Sequence, residues 1–188
     1  MSNCPPFSEF SEFPKIARYS REVVVTEKID GTNAQVHVND TMTDLLAGSR
    51  SRWIAPDDDN FGFARWVADN KDDLLRLGPG SHFGEWWGAG IQRKYGLSEK
   101  RFSLFNTHRW SDAATRPACC GVVPILWQGP LDQLDVNLVL GKLIESGSVA
   151  APGFMKPEGV VIYHTATGAI FKRTIEKDEE GKDETDHV

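Results

Sequence analysis

The predicted fold depends on one stretch, Val23-Val24-Val25-Thr26-Glu27-Lys28-Ile29-Asp30-Gly31-Thr32-Asn33. Its β-branched residues favour a buried strand, which we expect near Glu22 to Lys28. Asp30-Gly31 is typical of a tight turn, because glycine reaches positive φ without steric cost. We therefore expect residues 34–38 to return as the hairpin partner of this strand.

Lys28 lies at the end of the predicted strand, and Asp30, two positions further on, points to the same face. A lysine held on a rigid strand can act as a nucleophile when its pKa is lowered. Burial or neighbouring cations lower the pKa of a lysine, whereas nearby carboxylates raise it. The alternative interpretation of K-x-D-G alone is an exposed hairpin lysine without a chemical role.

Length and composition indicate one globular domain, since the chain has 188 residues of which 40% are hydrophobic. Residues 176–188 contribute −5 of the net charge of −6, which leaves −1 for residues 1–175. We expect a domain over residues 1–175 and a disordered acidic tail over 176–188. With a nearly neutral body, the overall acidity does not exclude nucleic acid binding through a local basic surface.

Several classes of protein are disfavoured by the sequence. The three cysteines, two of them adjacent, make no disulfide framework and no zinc-ligand spacing. No apolar run reaches about 18 residues, so no membrane span is expected. The N-terminus lacks the apolar core of a signal peptide. The sequence therefore predicts a cytoplasmic protein that is not in a membrane.

The rest of the pattern predicts an α+β fold of mainly antiparallel strands with two main helices. The first helix is expected from about Phe61 to Leu77, with Asp59 or Asn60 as its N-cap. The second helix is expected over 131–145. Further strands are expected near 43–49, 81–87, 102–106 and 122–127, and a last hairpin over 158–164 and 170–172. Residues 107–121 look irregular, and Pro124 indicates an edge strand or a bulge.

Three further motifs carry residues suited to chemistry. They are Phe83-Gly84-Glu85-Trp86-Trp87-Gly88, Glu158-Gly159-Val160-Val161-Ile162 and Phe171-Lys172-Arg173-Thr174. Glu85 lies among residues that look buried, so it needs a partner and is suited to ligand hydroxyls. Glu158 stands at the start of an apolar strand and suits Mg²⁺, while the two cations of the last motif suit phosphate. Taken singly, each motif is equally compatible with a structural salt bridge or a solvated strand end.

In their order along the chain, these motifs resemble the covalent nucleotidyltransferase superfamily of polynucleotide ligases and mRNA capping enzymes. The likeness narrows to the ATP-dependent RNA ligases similar to phage T4 RNA ligase 2 and the RNA-editing ligases, over about residues 13–175. The segments that carry it are Pro14-Lys15-Ile16, 26–33, Ser49-Arg50, Asp59-Asn60-Phe61-Gly62, Gly84-Glu85-Trp86-Trp87-Gly88, Gly90-Ile91-Gln92 and Val123-Pro124-Ile125-Leu126. The resemblance implies a nucleotidyltransferase (adenylation) domain of mainly antiparallel sheets flanked by helices, with an ATP-grasp-like ligase core.

The resemblance also implies the catalytic residues. Lys28 would attack the α-phosphate of ATP, form lysyl–AMP and release pyrophosphate. Asp30 would orient the lysine or the metal, and Lys172 would contact the α-phosphate. Glu158 would hold Mg²⁺, with Mn²⁺ as a substitute metal.

Nucleotide contacts are implied for a further set of residues, Glu27, Asn33, Arg50, Glu85 and Phe105. Arg50 would contact the ribose or a phosphate and the nucleic acid end, and Glu85 would bind the ribose hydroxyls. Phe105 would stack on the adenine, with Phe102 as its nearest rival. RNA contacts are expected from the cations Arg50, Arg52, Arg93, Lys94 and Lys172.

Two departures from the family pattern matter. The last motif of the family holds two lysines separated by one residue, but the earlier position here is Ile170, and a substitute role for Arg173 is left open. Only 16 residues follow Lys172, whereas full-length relatives carry a further C-terminal domain that helps to engage RNA. We therefore expect ready self-adenylation and poor sealing, unless a partner protein supplies an RNA-engaging domain.

The predicted function is that of an ATP-dependent RNA ligase, which adenylates an RNA 5′-phosphate and joins it to a 3′-hydroxyl. One alternative is a DNA ligase or nick-sealing repair enzyme, and another is a guanylyltransferase. A third is a nucleotide and RNA-end binding module without turnover, against which the presence of Lys28, Glu85, Glu158 and Lys172 argues.

Overall fold

The computed structural model describes residues 12–176. The strands are β1 (Glu22–Lys28), β2 (Thr32–Val38), β3 (Leu45–Gly48), β4 (Trp53–Ile54), β5 (Gly80–Gly88), β6 (Lys100–Leu104), β7 (Cys120–Val122), β8 (Ile125–Pro130), β9 (Gly159–His164) and β10 (Ile170–Thr174). The helices are α1 (Phe63–Asp69), α2 (Lys71–Leu74), α3 (Thr107–Trp110) and α4 (Val136–Ser146). The predicted acidic tail lies outside the described residues except for Glu176, so the tail and its boundary stay predictions.

The strands form two sheets and confirm the α+β prediction. One sheet has six strands in the order β4-β3-β2-β5-β6-β7, and the other has four in the order β10-β9-β1-β8. The strand pairs are antiparallel, apart from the parallel pair of β6 and β7. No helix within residues 12–176 combines the length and apolar character that a membrane crossing needs.

Each sheet buries one face against helices. In the six-stranded sheet, Trp86 and Phe102 pack on Phe63 of α1, with ring centroids 5.4 and 5.1 Å from that of Phe63. In the four-stranded sheet, Val25 and Val160 are fully buried in a cluster with residues of α4. The prediction of a buried strand from the valine run is thereby confirmed, and β1 is one of the two inner strands of its sheet.

The predicted hairpin of β1 and β2 is wrong, because the two strands belong to different sheets. The prediction of positive φ at Gly31 is also wrong, since Gly31 is not among the residues with positive φ in the described chain. A Cβ at Gly31 would lie 2.5 Å from the Trp86 carbonyl oxygen and 2.7 Å from the Trp87 Cβ. Glycine is therefore required for close packing where the chain crosses between the sheets.

The predicted helix over 61–77 is interrupted at Asn70, whose φ of −111° separates α1 from α2. The Asn70 side-chain amide donates to the Trp66 carbonyl at 2.8 Å and thus ends α1. The predicted N-cap is wrong, because α1 begins at Phe63 with Gly62 as its N-cap residue. The Asp59 carboxylate still accepts from two amides of the first turn, those of Ala64 at 2.7 Å and Arg65 at 3.1 Å. A 3₁₀ turn over Leu75–Leu77 completes the predicted segment.

The single strand predicted over 122–127 is also wrong, because Pro124 separates β7 of the six-stranded sheet from β8 of the four-stranded sheet. The Pro124 carbonyl accepts from the Glu27 amide at 2.9 Å beside this crossing. A short helix, α3, occupies part of the segment predicted to be irregular. The last hairpin, β9 with β10, is confirmed, and the second helix begins at Val136, later than predicted.

Candidate active site

Lys28 and Glu158 form an ion pair where two neighbouring strands meet. Lys28 ends β1 and pairs with Gly159, the first residue of β9, so Glu158 lies beside it. The Lys28 Nζ is 2.6 Å from the Glu158 Oε1, and the two side chains are 25% and 17% exposed. Gly159 lets β10 approach closely, since a Cβ there would lie 2.2 Å from the Arg173 carbonyl oxygen. Strand register therefore fixes the pairing.

Glu158 also has the chemistry of a metal ligand. Its Oε2 is buried and has no hydrogen-bond partner within residues 12–176. An unpartnered buried carboxylate oxygen is costly, and a hard divalent cation is the kind of ligand that would satisfy it. No cluster of three or more His, Cys, Asp or Glu side chains is present in the same residues. Since Mg²⁺ usually uses one or two carboxylates together with water and substrate phosphates, the site fits a metal that binds with a nucleotide.

Glu85 lies close to this pair on β5. Its Oε1 accepts from the Gly31 amide at 3.1 Å. Burial raises the pKa of Glu85 to about 7, although the charge of Lys28 and the Gly31 hydrogen bond act in the opposite direction. Asn33 of β2 is directly opposite Glu85 in the sheet and shares its face. The structure therefore brings Lys28, Glu85 and Glu158 together and places Asn33 beside them.

Asp30 is held by two residues of the loop between β5 and β6. The Arg93 Nε donates to the Asp30 Oδ2 at 3.0 Å, and the Asp30 amide donates to the Tyr95 hydroxyl at 2.7 Å. Tyr95 is itself buried against Trp87, with ring centroids 4.9 Å apart. Sequence reasoning gave Tyr95 no role and treated Arg93 only as an RNA contact. No local pattern signals either contact, because the partners are 65 and 63 positions apart in the chain.

Lys172 shares the face of β1 that carries Lys28. Thr26 pairs with Val161 of β9, and Val161 pairs with Lys172 of β10, so the three side chains point to one side of the sheet. Lys172 is exposed there. Arg173 pairs with Val160 and so points to the opposite face. This register argues against Arg173 as a substitute for the missing lysine of the last motif.

The side chain of Glu27 is not on the Lys28 face. Its carboxylate accepts from the Ser148 hydroxyl at 2.5 Å and from the amides of Val149 at 2.8 Å and Ala150 at 2.9 Å. All three donors lie in the loop that follows α4, so both oxygens of the buried Glu27 carboxylate are bound to this loop. The Glu27 side chain therefore ties β1 to this loop on the face of the sheet opposite Lys28.

Phe105 and Arg50 are both exposed, but they lie in different loops of the six-stranded sheet. Phe105 follows β6 and is 40% exposed, whereas its rival Phe102 is fully buried in the core. The Phe105 amide donates to the Phe83 carbonyl at 3.0 Å, and a cavity of about 160 Å³ opens beside both rings. Arg50 lies in the loop between β3 and β4. Of the two aromatic candidates, Phe105 alone is accessible to a base.

Comparisons with known proteins identify the family and the fold of the chain. The family model described as RNA ligase matches residues 21–174. Three mutant structures of the Naegleria gruberi RNA ligase share the fold. Two of them contain ATP and Mn; both have a TM-score of 0.60, with sequence identities of 19% and 21%. The third, with AMP and Mn, has a TM-score of 0.62 and 20% identity.

The matches cover most of this chain but less of the relatives. They cover 83%, 94% and 83% of this chain and 50%, 60% and 50% of the respective ligase chains. The chain thus spans about half the length of the first solved relatives that it matches. None of the curated proteins matches the sequence.

Proposed function

The chain belongs to the RNA ligase family, and from that premise we propose that it is an ATP-dependent RNA ligase acting through a covalent lysyl–AMP intermediate. The observation that carries the proposal is the Lys28–Glu158 pair at 2.6 Å, in which the second oxygen of Glu158 is buried without a partner. Nucleotidyl transfer to lysine needs three groups in one place, and all three are present: an amine on a rigid strand, a carboxylate suited to a divalent cation and the half-buried Glu85.

In the first proposed step, the Lys28 Nζ attacks the α-phosphorus of ATP. A P–N bond forms, the bond from that phosphorus to the bridging oxygen breaks, and pyrophosphate leaves. An ammonium has no lone pair, so Nζ loses a proton to water before it attacks. A divalent cation held by Glu158 would neutralise charge on the triphosphate and on the leaving pyrophosphate. Lys172, on the same face, would stabilise the charge that develops on the α-phosphate.

In the second step AMP is transferred from Lys28 to the RNA, and in the third step the two RNA ends are joined. An oxygen of the RNA 5′-phosphate attacks the lysyl–AMP phosphorus, so that the P–N bond breaks and an RNA–adenylate forms. The 3′-hydroxyl of the other end then attacks the 5′-phosphate, and AMP leaves. We assign Glu85 and Asn33 to the ribose, Phe105 to the adenine, Asp30 to the orientation of Lys28, and Arg50 to the nucleic acid end.

The decisive experiment is to incubate the full chain with ATP and Mg²⁺ and measure its intact mass. We expect an adduct of one AMP on the wild type and none on Lys28→Ala. Lys71→Ala is the matched control, because Lys71 also forms an ion pair, with Asp44 at 2.7 Å, far from the site on the surface. An adduct that persists in Lys28→Ala and maps to another lysine would overturn the assignment.

The substrate follows from the same assay with different reagents. Family membership favours RNA over DNA ends, and a comparison of nicked RNA with nicked DNA duplexes tests that preference. Replacing ATP with GTP tests the guanylyltransferase alternative. Comparing the yield of lysyl–AMP with the yield of joined RNA shows whether sealing needs a partner protein that engages RNA. The cytoplasmic location stays a prediction.

A further inference from the structure

One face of the six-stranded sheet is open and carries a row of aromatic side chains. Trp53 of β4 is opposite Gly48 of β3, Gly48 is opposite Gln35 of β2, and Gln35 is opposite Phe83 of β5. The backbone hydrogen bond from Phe105 to Phe83 continues this line past the end of β6. We call Trp53, Phe83 and Phe105 the aromatic row. It crosses the sheet at right angles to the strands.

The rings of the aromatic row are presented to solvent. Trp53 is 51% exposed, Phe83 50% and Phe105 40%. Trp53 covers Gly48 so closely that a Cβ at Gly48 would lie 3.1 and 3.2 Å from two of its ring carbons. The absence of a side chain at Gly48 thus lets the ring rest on the sheet with its other side free. An edge contact with His37, at 5.9 Å between ring centroids, supports Trp53 laterally.

The surface around the row carries neutral hydrogen-bonding groups in its middle and charged groups at its ends. Arg52, which forms an ion pair with Asp58, donates to the Trp53 carbonyl at 3.4 Å, and Arg109 lines the cavity beside Phe83 and Phe105. The Ser81 hydroxyl accepts from the Gln35 Nε2 at 2.7 Å and lies 3.0 Å from the His37 Nδ1. The carboxylate that shares this face is Glu85, which belongs to the candidate active site, and Arg50 lies in the loop next to Trp53. Exposed rings with neutral hydrogen-bonding groups between them, and arginines at both ends of the row, suit nucleobases on a phosphate backbone.

The spacing and position of the row select the form of the nucleic acid. Neighbouring strands lie about 4.8 Å apart, so the three strand spacings from Trp53 to Phe83 amount to about 14 Å. That separation is about four times the rise of about 3.4 Å between stacked bases along one strand of a duplex. The two rings can therefore each take a base only from an unpaired strand whose bases are spread apart, with at least one nucleotide between the two that stack. The row is continuous with the candidate active site, because Phe83 and Glu85 lie on the same face of β5. An RNA strand bound along the row would therefore extend towards the candidate active site.

We propose that this face binds unpaired bases of the RNA strand whose end is joined, with one base stacked on Trp53 and another on Phe83. The identity of the ligand as RNA rests on the proposed function. The proposal adds that the preferred substrate has a single-stranded segment next to the joined end, and it assigns Trp53 as a residue that binds this segment.

The test measures binding of a labelled, 5′-phosphorylated single-stranded RNA to the full chain by fluorescence anisotropy. We expect Trp53→Ala to weaken binding about five- to hundredfold, the range for loss of one base–aromatic stack, and Trp53→Phe to restore most of it. Phe171→Ala is the matched control, because Phe171 is 59% exposed but lies on the four-stranded sheet. A fully paired RNA duplex should bind wild type and Trp53→Ala equally.

Salt dependence separates stacking from charge. The loss in Trp53→Ala should persist between low and moderate salt, whereas Arg50→Ala should reduce the salt slope by about one phosphate contact. Unchanged binding of single-stranded RNA by Trp53→Ala, or an equal loss in Phe171→Ala, would overturn the proposal. So would a wild-type dimer in sedimentation that Trp53→Ala dissociates, since a second copy would then cover the row. Lysyl–AMP formation is scored separately, so absence of the adduct would refute the proposed function without deciding the RNA titration.

Discussion

The two oxygens of the Glu158 carboxylate have different surroundings. One oxygen neutralises Lys28 at 2.6 Å, and the other is buried without a partner within the described residues. The side chain thereby holds Lys28 in place while retaining an oxygen for a cation. A residue with both tasks should affect the metal dependence and the rate of adenylation together.

Replacing Glu158 with glutamine tests this double task. The amide keeps the size of the side chain but removes the charge that holds Lys28 and attracts a cation. We expect the rate of lysyl–AMP formation to fall about 10²-fold or more, and the Mg²⁺ concentration at half-maximal rate to rise. Glu99→Gln is the control, since Glu99 also forms an ion pair, with Arg101 at 2.5 Å on the surface. An unaltered rate and Mg²⁺ titration in Glu158→Gln would make Glu158 a purely structural residue.

Glu85 makes stability depend on pH. Burial raises the pKa of Glu85 in the folded chain to about 7 from a usual value of 4.5. Between those values the folded chain holds a proton that the unfolded chain has released, so stability falls as the pH rises through this window. The contribution is fully present below about pH 4.5 and is lost above about pH 7, and it amounts to about 3 kcal/mol.

Glu85→Gln isolates that contribution, because glutamine keeps the acceptor for the Gly31 amide and does not titrate. The free energy of unfolding is measured by denaturant titration at pH 4.5, 6 and 8 for both proteins. We expect the wild type to lose about 3 kcal/mol relative to the variant between the lowest and highest pH. Other carboxyl groups cancel in the difference. Parallel pH profiles would show that Glu85 does not hold a proton in this range.

The loop between β5 and β6 supports the site through an unusual backbone. Gln92, Lys94 and Tyr95 have φ of 42°, 59° and 50°, a left-handed conformation that non-glycine residues rarely adopt. Burial raises the pKa of Tyr95 above its ordinary range, so its hydroxyl stays neutral and accepts from the Asp30 amide at 2.7 Å. The loop therefore contributes the contact that positions the residue two places after Lys28.

Tyr95→Phe should leave the Asp30 amide without its partner in a partly buried position. We expect a loss of about 1–3 kcal/mol in the free energy of unfolding, the cost of an unmade buried hydrogen bond. Tyr163→Phe is the matched control, because Tyr163 is 42% exposed on β9. Chemical denaturation of the three proteins measures both effects. Equal stability of the two variants would contradict the supporting role of Tyr95.

The elements that the sequence predicted correctly are those with a local signal. The valine run predicted β1, and Asp59 indicated the start of α1 to within a few residues, because both signals depend on neighbouring residues. Strand partners carry no such signal, so Asp30-Gly31 was wrongly interpreted as a hairpin turn. The same holds for the site: Lys28, Glu85 and Glu158 stand in motifs, whereas the contacts of Arg93 and Tyr95 with Asp30 arise only when distant segments fold together.

The two sheets are joined where the chain crosses between them. The crossing after β1 runs through Gly31, and the crossing before β8 runs through Pro124, whose carbonyl accepts from the Glu27 amide at 2.9 Å. Both crossings therefore lie beside Lys28. Packing at this junction sets how Lys28 on one sheet faces Glu85 on the other.

Gly31→Ala should disturb this junction. The added methyl group would lie 2.5 Å from the Trp86 carbonyl oxygen, so we expect a loss of about 1–3 kcal/mol or more in the free energy of unfolding from overpacking. Gly141→Ala in α4 is the control, since a Cβ there meets no atom within 4 Å. That change should instead gain about 0.5–1 kcal/mol. A neutral Gly31→Ala would show that the junction has room.

The strand that carries Lys28 is made early and paired late. Val24 of β1 is flanked by Gln128 of β8 and Tyr163 of β9, so both of its neighbours leave the ribosome more than a hundred residues after it. The strands of the six-stranded sheet, by contrast, are contiguous in the chain from β2 to β7. During synthesis that sheet can close first, while the apolar β1 waits unpaired and exposed to aggregation. The candidate active site is therefore expected to be the last part of the molecule to form, because a chain that ends before β9 lacks Glu158 and the strand that pairs with Lys28.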